Sequence, residues 1–342
     1  MGIKISDIAQ LAGVSKSAVS LALNEKPGIS ISTRKKIIKI AHQQGYTPLR
    51  KKRQDIQNNL GAVAFLVVTT TGVVKSNYRT LPFFNSLISC LSAEISAVNG
   101  SLKTITITQT ELSQQLSSIR ETADSFLVLG TDLTKKSAAL INQRLKHVVF
   151  LDTYFEDINA DFVTMDNYQG ARLAGEYILR KGYRQIGYFA SDKIMSNFSE
   201  RRRGFRAILK EAGVTISNDN FYFISPTETN PNGLNMTRFI NKLPKAIFCE
   251  DDYIALRLLK VARQAKITIP DQLAIMGFDD IYESTLVSPE LSTIHVPIEQ
   301  IAHEALKQLI DQYLHPQRLP LKSLSQLNLS KGNHYKNEGQ LN

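Results

Sequence analysis

Beyond residue 60 the chain alternates between short apolar segments and longer amphipathic ones, and this alternation limits its possible folds more than any other feature. The first apolar segment, GAVAFLVV from Gly61, is typical of a parallel strand that is covered on both faces. Further strand-like segments are LKTITI, SFLVLG, HVVFLD, DFVTMD, QIGYFA, FYFI, KAIFC and LAIMGF. Helix-like segments are predicted between them, near 83–98, 111–121, 135–146, 167–181, 199–212, 233–243, 250–266 and 297–314.

Strict alternation of strand and helix predicts an α/β fold built from doubly wound parallel sheets. Residues 61–330 are enough for two such lobes, and a polar tail is expected over 331–342. Ligands of doubly wound sheets bind beyond the carboxyl ends of the strands, so we expect a binding cleft between the lobes.

The N-terminal segment ISDIAQLAGVSKSAVSLALN, residues 5–24, predicts two short helices joined by a tight turn. Gly13 can adopt the left-handed conformation that ends the first helix, and Ser15 or Ser17 can cap the second. A third helix is predicted over 33–44. Such a unit can place the N-terminus of its second helix in a DNA major groove, so residues 1–48 are predicted to bind DNA. The expected inward-facing residues are Ile8, Leu11, Ala12, Val19, Ala22, Leu23, Ile37, Ile40 and Ala41.

The positive charge of the chain is concentrated around this unit. Residues 1–61 hold eleven lysine and arginine residues against three acidic ones, while the whole chain has a net charge of +10. A basic domain on a nearly neutral body indicates a polyanionic partner, although a merely solvated surface is the alternative. Residues 49–60, beginning LRKKRQDI, are predicted to be a basic linker.

Several classes of protein are disfavoured by the sequence. The two cysteines lie far apart, so we expect neither a disulfide framework nor a zinc site. The chain lacks the apolar run of a membrane span and the N-terminal pattern of a signal peptide, so we expect a cytoplasmic protein without a membrane partner. Phosphate-binding, nucleophile-elbow and metalloprotease motifs are missing, so no catalytic residues, cofactor or metal are expected.

Several blocks of sequence, in order along nearly the whole chain, resemble one protein family. They are KISDIAQLAGVSKSAVSLALN with ISTRKKIIKIAHQQGYTP, LPFF at 81–84, MDNYQGA at 165–171, ERRRGF at 200–205, IFCEDD at 247–252, GFDD at 277–280 and SPELSTI at 288–294. Together they resemble the LacI/GalR family of bacterial transcriptional regulators. The resemblance implies a helix-turn-helix headpiece, a hinge, and a two-lobed core like the type I periplasmic binding proteins. It also implies a homodimer that reads a pseudo-palindromic operator in double-stranded DNA, and a small effector in the cleft.

The resemblance places the base-reading residues at the start of the second helix. Lys16 can donate to guanine, or else contact a phosphate, while Ser17 can donate or accept and Leu21 offers only apolar contact. The family often has Arg at the Leu21 position and Thr at the Ala18 position, so we expect an operator unlike the common one. Predicted backbone contacts or helix caps are Ser6, Ser15, Ser20, Asn24, Thr33 and Arg34.

The linker departs from the family pattern. Family hinges carry an Ala-Arg-x-Leu motif whose leucine enters the minor groove, and this chain lacks that motif. Leu49 or Ile56 could take the place of that leucine. Alternatively, the basic run that includes Arg50 and Arg53 could follow phosphates or enter a narrow minor groove.

For the effector site the resemblance implies Arg201 as the cleft arginine and Asp279 as a ligand acceptor. Asp251 stands where the family has Asn, which favours a hydroxyl-rich or cationic ligand and disfavours an anionic one. Asn197 is a further polar candidate, whereas Asp166 and Asn167 are expected to serve a strand–helix junction. Three aromatic residues could stack on a sugar ring or simply pack in the core: Phe83, Phe84 and Phe248.

The hypothesis that follows is a transcriptional regulator, expected to be a repressor, that is controlled by a small effector such as a sugar. A solute-binding protein with the same core fold is the alternative, and the basic headpiece counts against it. An enzyme on a doubly wound fold is a third possibility, which the missing catalytic motifs disfavour.

Overall fold

The computed structural model describes residues 3–24, 26–46, 60–227, 239–240 and 242–332. A small N-terminal unit of three helices precedes an α/β core of two lobes. Most of the expected linker at 49–60 and most of the expected tail at 331–342 lie outside the described residues, as does most of the predicted helix at 233–243.

The N-terminal unit, called the headpiece below, has the expected helices α1 (Ile5–Ala12), α2 (Lys16–Leu23) and α3 (Ile31–Gln43). Gly13 ends α1 with φ at +66°, in the left-handed region. Ser15, not Ser17, caps α2, because its side chain accepts a hydrogen bond from the Ala18 N–H at 3.1 Å. The turn between α1 and α2 is therefore fixed by local backbone chemistry.

A small hydrophobic core holds the three helices together. Ile8, Val19 and Ile37, one from each helix, are fully buried in it. The expectation that Leu11 faces this core is wrong, because its side chain is 55% exposed. Ala9 is buried instead, and its small side chain lets α1 pack closely against the other helices.

The core begins with alternating strands and helices. These are β1 (Gly61–Thr69), α4 (Pro82–Ala97), β2 (Gly100–Thr108), α5 (Leu112–Arg120), β3 (Ser125–Leu129), α6 (Lys135–Arg144), β4 (Val148–Leu151) and β5 (Asp161–Met165). The alternation is not strict, since β5 follows β4 with no helix between them. A loop connects these parallel neighbours, which pair in the order β3-β4-β5.

The chain then continues through α7 (Asn167–Arg180), β6 (Ile186–Ser191), α8 (Ser196–Glu211), β7 (Phe221–Ile224), β8 (Ala246–Cys249), α9 (Asp252–Gln264) and β9 (Ala274–Met276). It ends with α10 (Glu283–Leu286), β10 (Thr293–His295), α11 (Ile298–Leu314), β11 (Lys322–Ser325) and β12 (Asn328–Ser330). The sequence did not predict β10, β11 or β12, which are only three or four residues long.

Two parallel sheets define the two lobes. Lobe 1 contains a six-stranded sheet in the order β11-β5-β4-β3-β1-β2, and lobe 2 contains a four-stranded sheet in the order β7-β6-β8-β9. The chain crosses between the lobes after β5, between β10 and α11, and between β11 and β12. A short antiparallel pair of β10 and β12 joins two of these crossings. The expected two-lobed, doubly wound architecture is confirmed.

Candidate DNA-binding surface and effector cleft

The outer face of α2 carries the residues expected to read DNA. Lys16, Ser17 and Ser20 are exposed there, whereas Leu21 is half-buried. The Leu21 side chain lies close to Gly28, so part of it covers the loop that follows α2. The exposed N-terminus of α2 therefore presents polar and basic groups, and Leu21 offers only a limited apolar surface.

Arg34 closes the C-terminal end of α2, which corresponds to the helix cap predicted from the sequence as one of its two roles. Its guanidinium donates hydrogen bonds to the carbonyl oxygens of Leu21 at 3.0 Å and Ala22 at 3.1 Å. It also donates to the carbonyl of Lys26. These contacts neutralise the C-terminal end of α2 and join it to α3, so most of the donors of Arg34 are directed inward.

The other expected cap or backbone residues of the headpiece lie near the helix ends. Asn24 ends α2, and its amide donates to the Ser20 carbonyl at 2.9 Å. Ser6 donates to the Asp7 carboxylate, which also accepts a hydrogen bond from the Lys4 N–H and thereby closes the start of α1. These two hydrogen bonds hold the pKa of Asp7 below its usual value. The linker residues Arg50 and Arg53 lie outside the described residues.

A narrow cleft lies between the two lobes, at the carboxyl ends of their strands. Residues within three positions of strand ends line it from both sides: Asp152 comes after β4, Asp251 after β8, and Asp279 after β9. The cavity within the cleft has a volume of about 40 Å³, which is room for little more than a water molecule or two. A ligand of monosaccharide size therefore requires the lobes to move apart.

Arg201 lies at the centre of the cleft, on the second turn of α8. Its guanidinium donates to Asp279 Oδ1 at 3.0 Å, to Asn167 Oδ1 at 2.8 Å and to the Glu250 carbonyl at 2.5 Å. The same group lies 3.7 Å from the centroid of the Phe278 ring. These three hydrogen bonds and the Phe278 ring hold the guanidinium rigidly. Only the edge of the guanidinium plane faces the cavity.

Two asparagines connect this network to lobe 1. Asn167 donates to Asn197 Oδ1 at 3.2 Å, and Asn197 donates to Asp152 Oδ1 at 2.8 Å. Asp166 caps α7 through the Gln169 N–H, as expected for a strand–helix junction. Asn167 does not line the cavity, but it orients Arg201 and Asn197, which do.

The three aspartates in the cleft are buried, and burial disfavours their charged form. Desolvation raises the pKa of Asp152 to about 6, and it raises the pKa of Asp279 to about 6 despite the nearby charge of Arg201. The pKa of Asp251 rises to about 8, through burial first and then through repulsion from Asp279. If all three were ionised, the site would hold more negative charge than its single arginine balances, and the raised pKa values reflect this cost.

Apolar walls come from α4. Phe83 and Phe84 both line the cleft and pack edge to face with centroids 5.5 Å apart. The Phe83 N–H donates to the hydroxyl of Tyr253 on α9 at 3.1 Å, which is a direct hydrogen bond between the lobes.

The prediction that Phe248 belongs to the cleft needs correction. Phe248 lies in the middle of β8, is fully buried, and stacks on Phe205 with centroids 4.6 Å apart. It also packs edge to face against Tyr188 and Phe278. Its side chain points into the core of lobe 2 and does not line the cavity.

Sequence reasoning missed several residues that line the cleft. Polar ones are Asp152, Thr131 and Tyr253, and apolar ones are Val73, Met165, Met195 and Phe198. Asp152 is the last residue of the predicted strand HVVFLD, and Thr131 immediately follows SFLVLG, so the rule that ligands bind at the carboxyl ends of strands could have found them. Tyr253 and Met195 gave no such signal.

The backbone is unusual at two of these aspartates. Asp152 has φ at +59°, and Asp279 has φ at +113°, where residues other than glycine are rare. Asp252 stabilises the backbone around Asp279, since it accepts hydrogen bonds from the Ile281 N–H at 3.0 Å and the Thr293 hydroxyl at 2.7 Å. Strained backbone of this kind is often found at binding sites.

In the part of the chain that the structure describes, no three His, Cys, Asp or Glu side chains are grouped to hold a metal ion. No helix among these residues is long and apolar enough to cross a membrane.

Comparison with known protein families gives two matches, one in the headpiece and one in the core. Residues 4–48 match the family of bacterial regulatory proteins described as the lacI family. Residues 176–327 match a periplasmic-binding-protein-like domain, which covers most of lobe 2 and the final crossings.

Relatives with curated names are similar over most of the chain. The transcriptional repressor PurR of Actinobacillus pleuropneumoniae serotype 3 is 26% identical over 314 residues, which cover 90% of both chains. The PurR repressor of Vibrio cholerae serotype O1 (strain M66-2) is also 26% identical, over 317 residues and 90% of both chains.

Solved structures show the same fold. A complex of the transcriptional regulator CelR with cellobiose superposes with a TM-score of 0.70 at 20% identity, covering 97% of this chain and 99% of the other. The lac repressor dimer bound to operator and the anti-inducer ONPF superposes with a TM-score of 0.67 at 17% identity, covering 98% and 99%.

Proposed function

From a headpiece that belongs to the LacI family of bacterial regulatory proteins and a core with a periplasmic-binding-protein-like domain, we propose a sequence-specific transcriptional repressor. In this proposal a small molecule of the sugar class binds between the lobes and changes the affinity for operator DNA. Binding to DNA places the protein in the bacterial cytoplasm.

The observation that carries the proposal is the combination of two sites in one chain. The exposed N-terminus of α2 presents Lys16 and Ser17 as a major-groove reading helix would. The cleft combines aromatic walls with polar groups at strand ends, which is the composition of a small-molecule site. A protein that only carried or sensed a solute would have no use for the first of these.

The proposed operator is pseudo-palindromic and is read by a homodimer, because a two-fold protein contacts two inverted half-sites. Lys16 and Ser17 are proposed to contact bases, and Leu21 a thymine methyl group. The linker arginines Arg50 and Arg53 are proposed to contact the backbone or the minor groove, which would add salt-dependent affinity. The named relatives, which are repressors, support the direction of regulation.

Selection from a random pool of duplex DNA with the full-length protein tests DNA reading. We expect one enriched inverted repeat, and we expect Lys16→Ala to change the base preference at a defined position of each half-site. Lys103→Ala is the matched control, because it removes the same charge from an exposed strand of the core. Binding that shows no sequence preference and only weakens smoothly with salt would contradict the proposal.

The cleft assignment is tested with Asp279→Asn, which keeps the shape of the side chain but removes the charge paired with Arg201. We expect this variant to bind the operator normally and to lose the response to the effector. Asp192→Asn, on an exposed loop of the same lobe, is the control. An unchanged effector response in Asp279→Asn would remove the cleft from the mechanism.

A further inference from the structure

The charges that line the cleft do not balance. Among the described residues that surround the cavity, three are carboxylates, namely Asp152, Asp251 and Asp279, and a single one, Arg201, is a cation. The three carboxylates come from both lobes, so closing the lobes brings them together in a space of about 40 Å³. Bringing like charges together in a poorly solvated cavity is unfavourable unless a positive charge lies between them.

The hydrogen bonds show which carboxylates lack a cation. Asp279 is paired with Arg201, the only ion pair within the described lining. Asp152 accepts hydrogen bonds from two neutral groups, the Thr131 hydroxyl and the Asn197 amide. Asp251 accepts one from the Ile254 N–H through Oδ1, at 2.7 Å, and its Oδ2 accepts none from the described residues.

Other arginines nearby are directed elsewhere. Arg202 binds the buried carboxylate of Glu250, with a nitrogen–oxygen distance of 2.6 Å, and does not line the cavity. Arg257 lies behind Asp251 on α9 and donates to the carbonyls of Tyr253 and Ser225. Neither guanidinium lines the cavity, although the charge of Arg257 lowers the pKa of Asp251 from outside it.

From this geometry we infer that the effector is a hydroxylated monocation of monosaccharide size, an amino sugar or a similar amino-polyol, whose ammonium group lies between Asp152 and Asp251. The inference rests on the proposed function and narrows its ligand class. The ammonium supplies three donors, which suit two carboxylates from opposite lobes. A ligand that bridges them would hold the lobes around itself, farther apart than in this structure, because it contacts both lobes at once.

The rest of the lining fits the hydroxylated part of such a molecule. Thr131, Asn197 and Tyr253 can exchange hydrogen bonds with hydroxyl groups, and Arg201 presents its edge to the cavity. Phe83 and Phe84 provide an apolar surface for the ring. An anionic sugar would add a fourth negative charge, and a neutral sugar would leave Asp152 and Asp251 without a cation.

The protonation behaviour of the aspartates agrees with this geometry. Burial and the charge of Asp279 raise the pKa of Asp251 to about 8, and burial raises that of Asp152 to about 6. A bound ammonium stabilises the ionised carboxylates and lowers both values. Binding therefore releases protons from the two carboxyl groups, and the affinity should increase as the pH rises from 6 to 7, where the ammonium group stays largely protonated.

Titration calorimetry on the full-length protein at pH 7, where the amine probes are still largely protonated, tests the inference with matched compounds. The cationic probes are glucosamine, galactosamine and mannosamine, and the neutral ones are the parent hexoses, their N-acetyl derivatives and the purine bases. Hexuronates are the anionic probes. We expect at least one amino sugar to bind, at least tenfold more tightly than its parent hexose and its N-acetyl derivative. We also expect binding to release protons, which is measured by repeating the titration in buffers of different ionisation enthalpy.

The variant Asp251→Asn keeps a helix-capping oxygen and removes the charge. It should weaken binding of the cationic probe at least tenfold, while Asp192→Asn on the exposed surface should leave it unchanged. Tighter binding of neutral or anionic probes, no binding by any of the three amines, or equal affinity in Asp251→Asn would each overturn the inference.

The selection from random DNA, combined with the calorimetry, distinguishes failure of the inferred ligand class from failure of the proposed function. If an amine binds but no operator is enriched, the chain is a binding protein for that ligand class and the regulator proposal fails. If an operator is enriched and only neutral sugars bind, the regulator proposal stands and the inferred ligand class is wrong.

Discussion

Asp251 has two roles that conflict with one another. Its carboxylate caps α9 through the Ile254 N–H, and a charged cap is favourable at a helix N-terminus. The same group is almost completely buried next to Asp279, which raises its pKa to about 8. The structure therefore gains a cap at the cost of a carboxylate that is poorly ionised at neutral pH, which is expected of a residue retained for ligand binding.

This conflict predicts how stability depends on pH. In the unfolded chain an aspartate has a pKa near 3.9, so between about pH 4 and pH 8 the folded protein binds more protons at Asp251 than the unfolded chain does. The free energy of unfolding must then fall as the pH rises through this window, by at most about 1.4 kcal/mol per pH unit for one group. Asp152 and Asp279, with pKa values of about 6, contribute in the same direction below pH 6.

The variant Asp251→Asn should remove part of this dependence, because asparagine caps a helix without titrating. Its free energy of unfolding should exceed that of the parent protein at pH 8, and the difference should shrink toward pH 5. Denaturant unfolding at several pH values measures this, with Asp192→Asn as the exposed control. A variant that is less stable than the parent at pH 8 would show that the charge of Asp251 is favourable in the folded state.

Phe248 is expected to stabilise the fold and to have no part in the cleft. It is fully buried and packs against Tyr188, Phe205 and Phe278 in lobe 2. Phe248→Ala should cost about 3–5 kcal/mol of stability, because it leaves a cavity among these rings. Phe223→Ala, at an exposed position on β7 of the same sheet, should cost under about 1 kcal/mol in the same denaturation experiment. Equal losses at the two positions would place Phe248 outside the core.

At the scale of elements, the headpiece depends on how α2 is closed at each end. Ser15 caps its N-terminus, and Arg34 reaches from α3 to bind the carbonyls at its C-terminus. Because α2 has only eight residues, such a helix is marginal by itself and needs both closures and its packing. The orientation of Lys16 on the DNA-facing side therefore depends on neighbours that contact no DNA.

Ser15→Ala tests this dependence. We expect a loss of about 0.5–2 kcal/mol in headpiece stability, because the Ala18 N–H loses its acceptor. Hydrogen exchange at the buried Val19 and Ala22 should accelerate accordingly. Ser17→Ala, two residues along on the exposed face, is the matched control and should leave exchange unchanged. If both variants exchange at the same rate, the cap does not stabilise α2.

Most elements could be predicted from the sequence because their signals are local. The run GAVAFLVV, the periodic helices and the capping serine each depend on residues adjacent along the chain. The short strands β10, β11 and β12 gave no such signal, because three or four residues carry too little periodicity. Leu11 was misjudged for a related reason, since its environment is set by how the three helices pack together.

At the scale of the molecule, the cleft was only half predictable. Arg201, Asp251 and Asp279 lie in sequence blocks that resemble a known family and could be placed from it. Asp152, Thr131 and Tyr253 face them from other elements, and their approach depends on how the two lobes close. The imbalance of charge in the cleft is therefore a property of the closed molecule that no single segment of sequence reveals.

Among the described residues, few direct hydrogen bonds hold the lobes together across the cleft. The Phe83 N–H donates to the Tyr253 hydroxyl, and Asn197 donates to both the carbonyl and the carboxylate of Asp152. Each hydrogen bond is worth about 0.5–1.5 kcal/mol, so the loss of one should change the ratio of closed to open molecules by roughly two- to tenfold.

Tyr253→Phe removes one of these bonds and keeps the aromatic ring. Hydrogen exchange of a peptide containing the Phe83 amide should accelerate by about that factor, because the amide loses its acceptor and the cleft opens more often. Tyr313→Phe is the matched control, since its hydroxyl bonds to Ser125 within lobe 1 and its loss should leave the Phe83 amide unaffected. Unchanged protection of Phe83 in Tyr253→Phe would mean that lobe closure depends on other contacts, of which the Asn197–Asp152 pair is the next to remove.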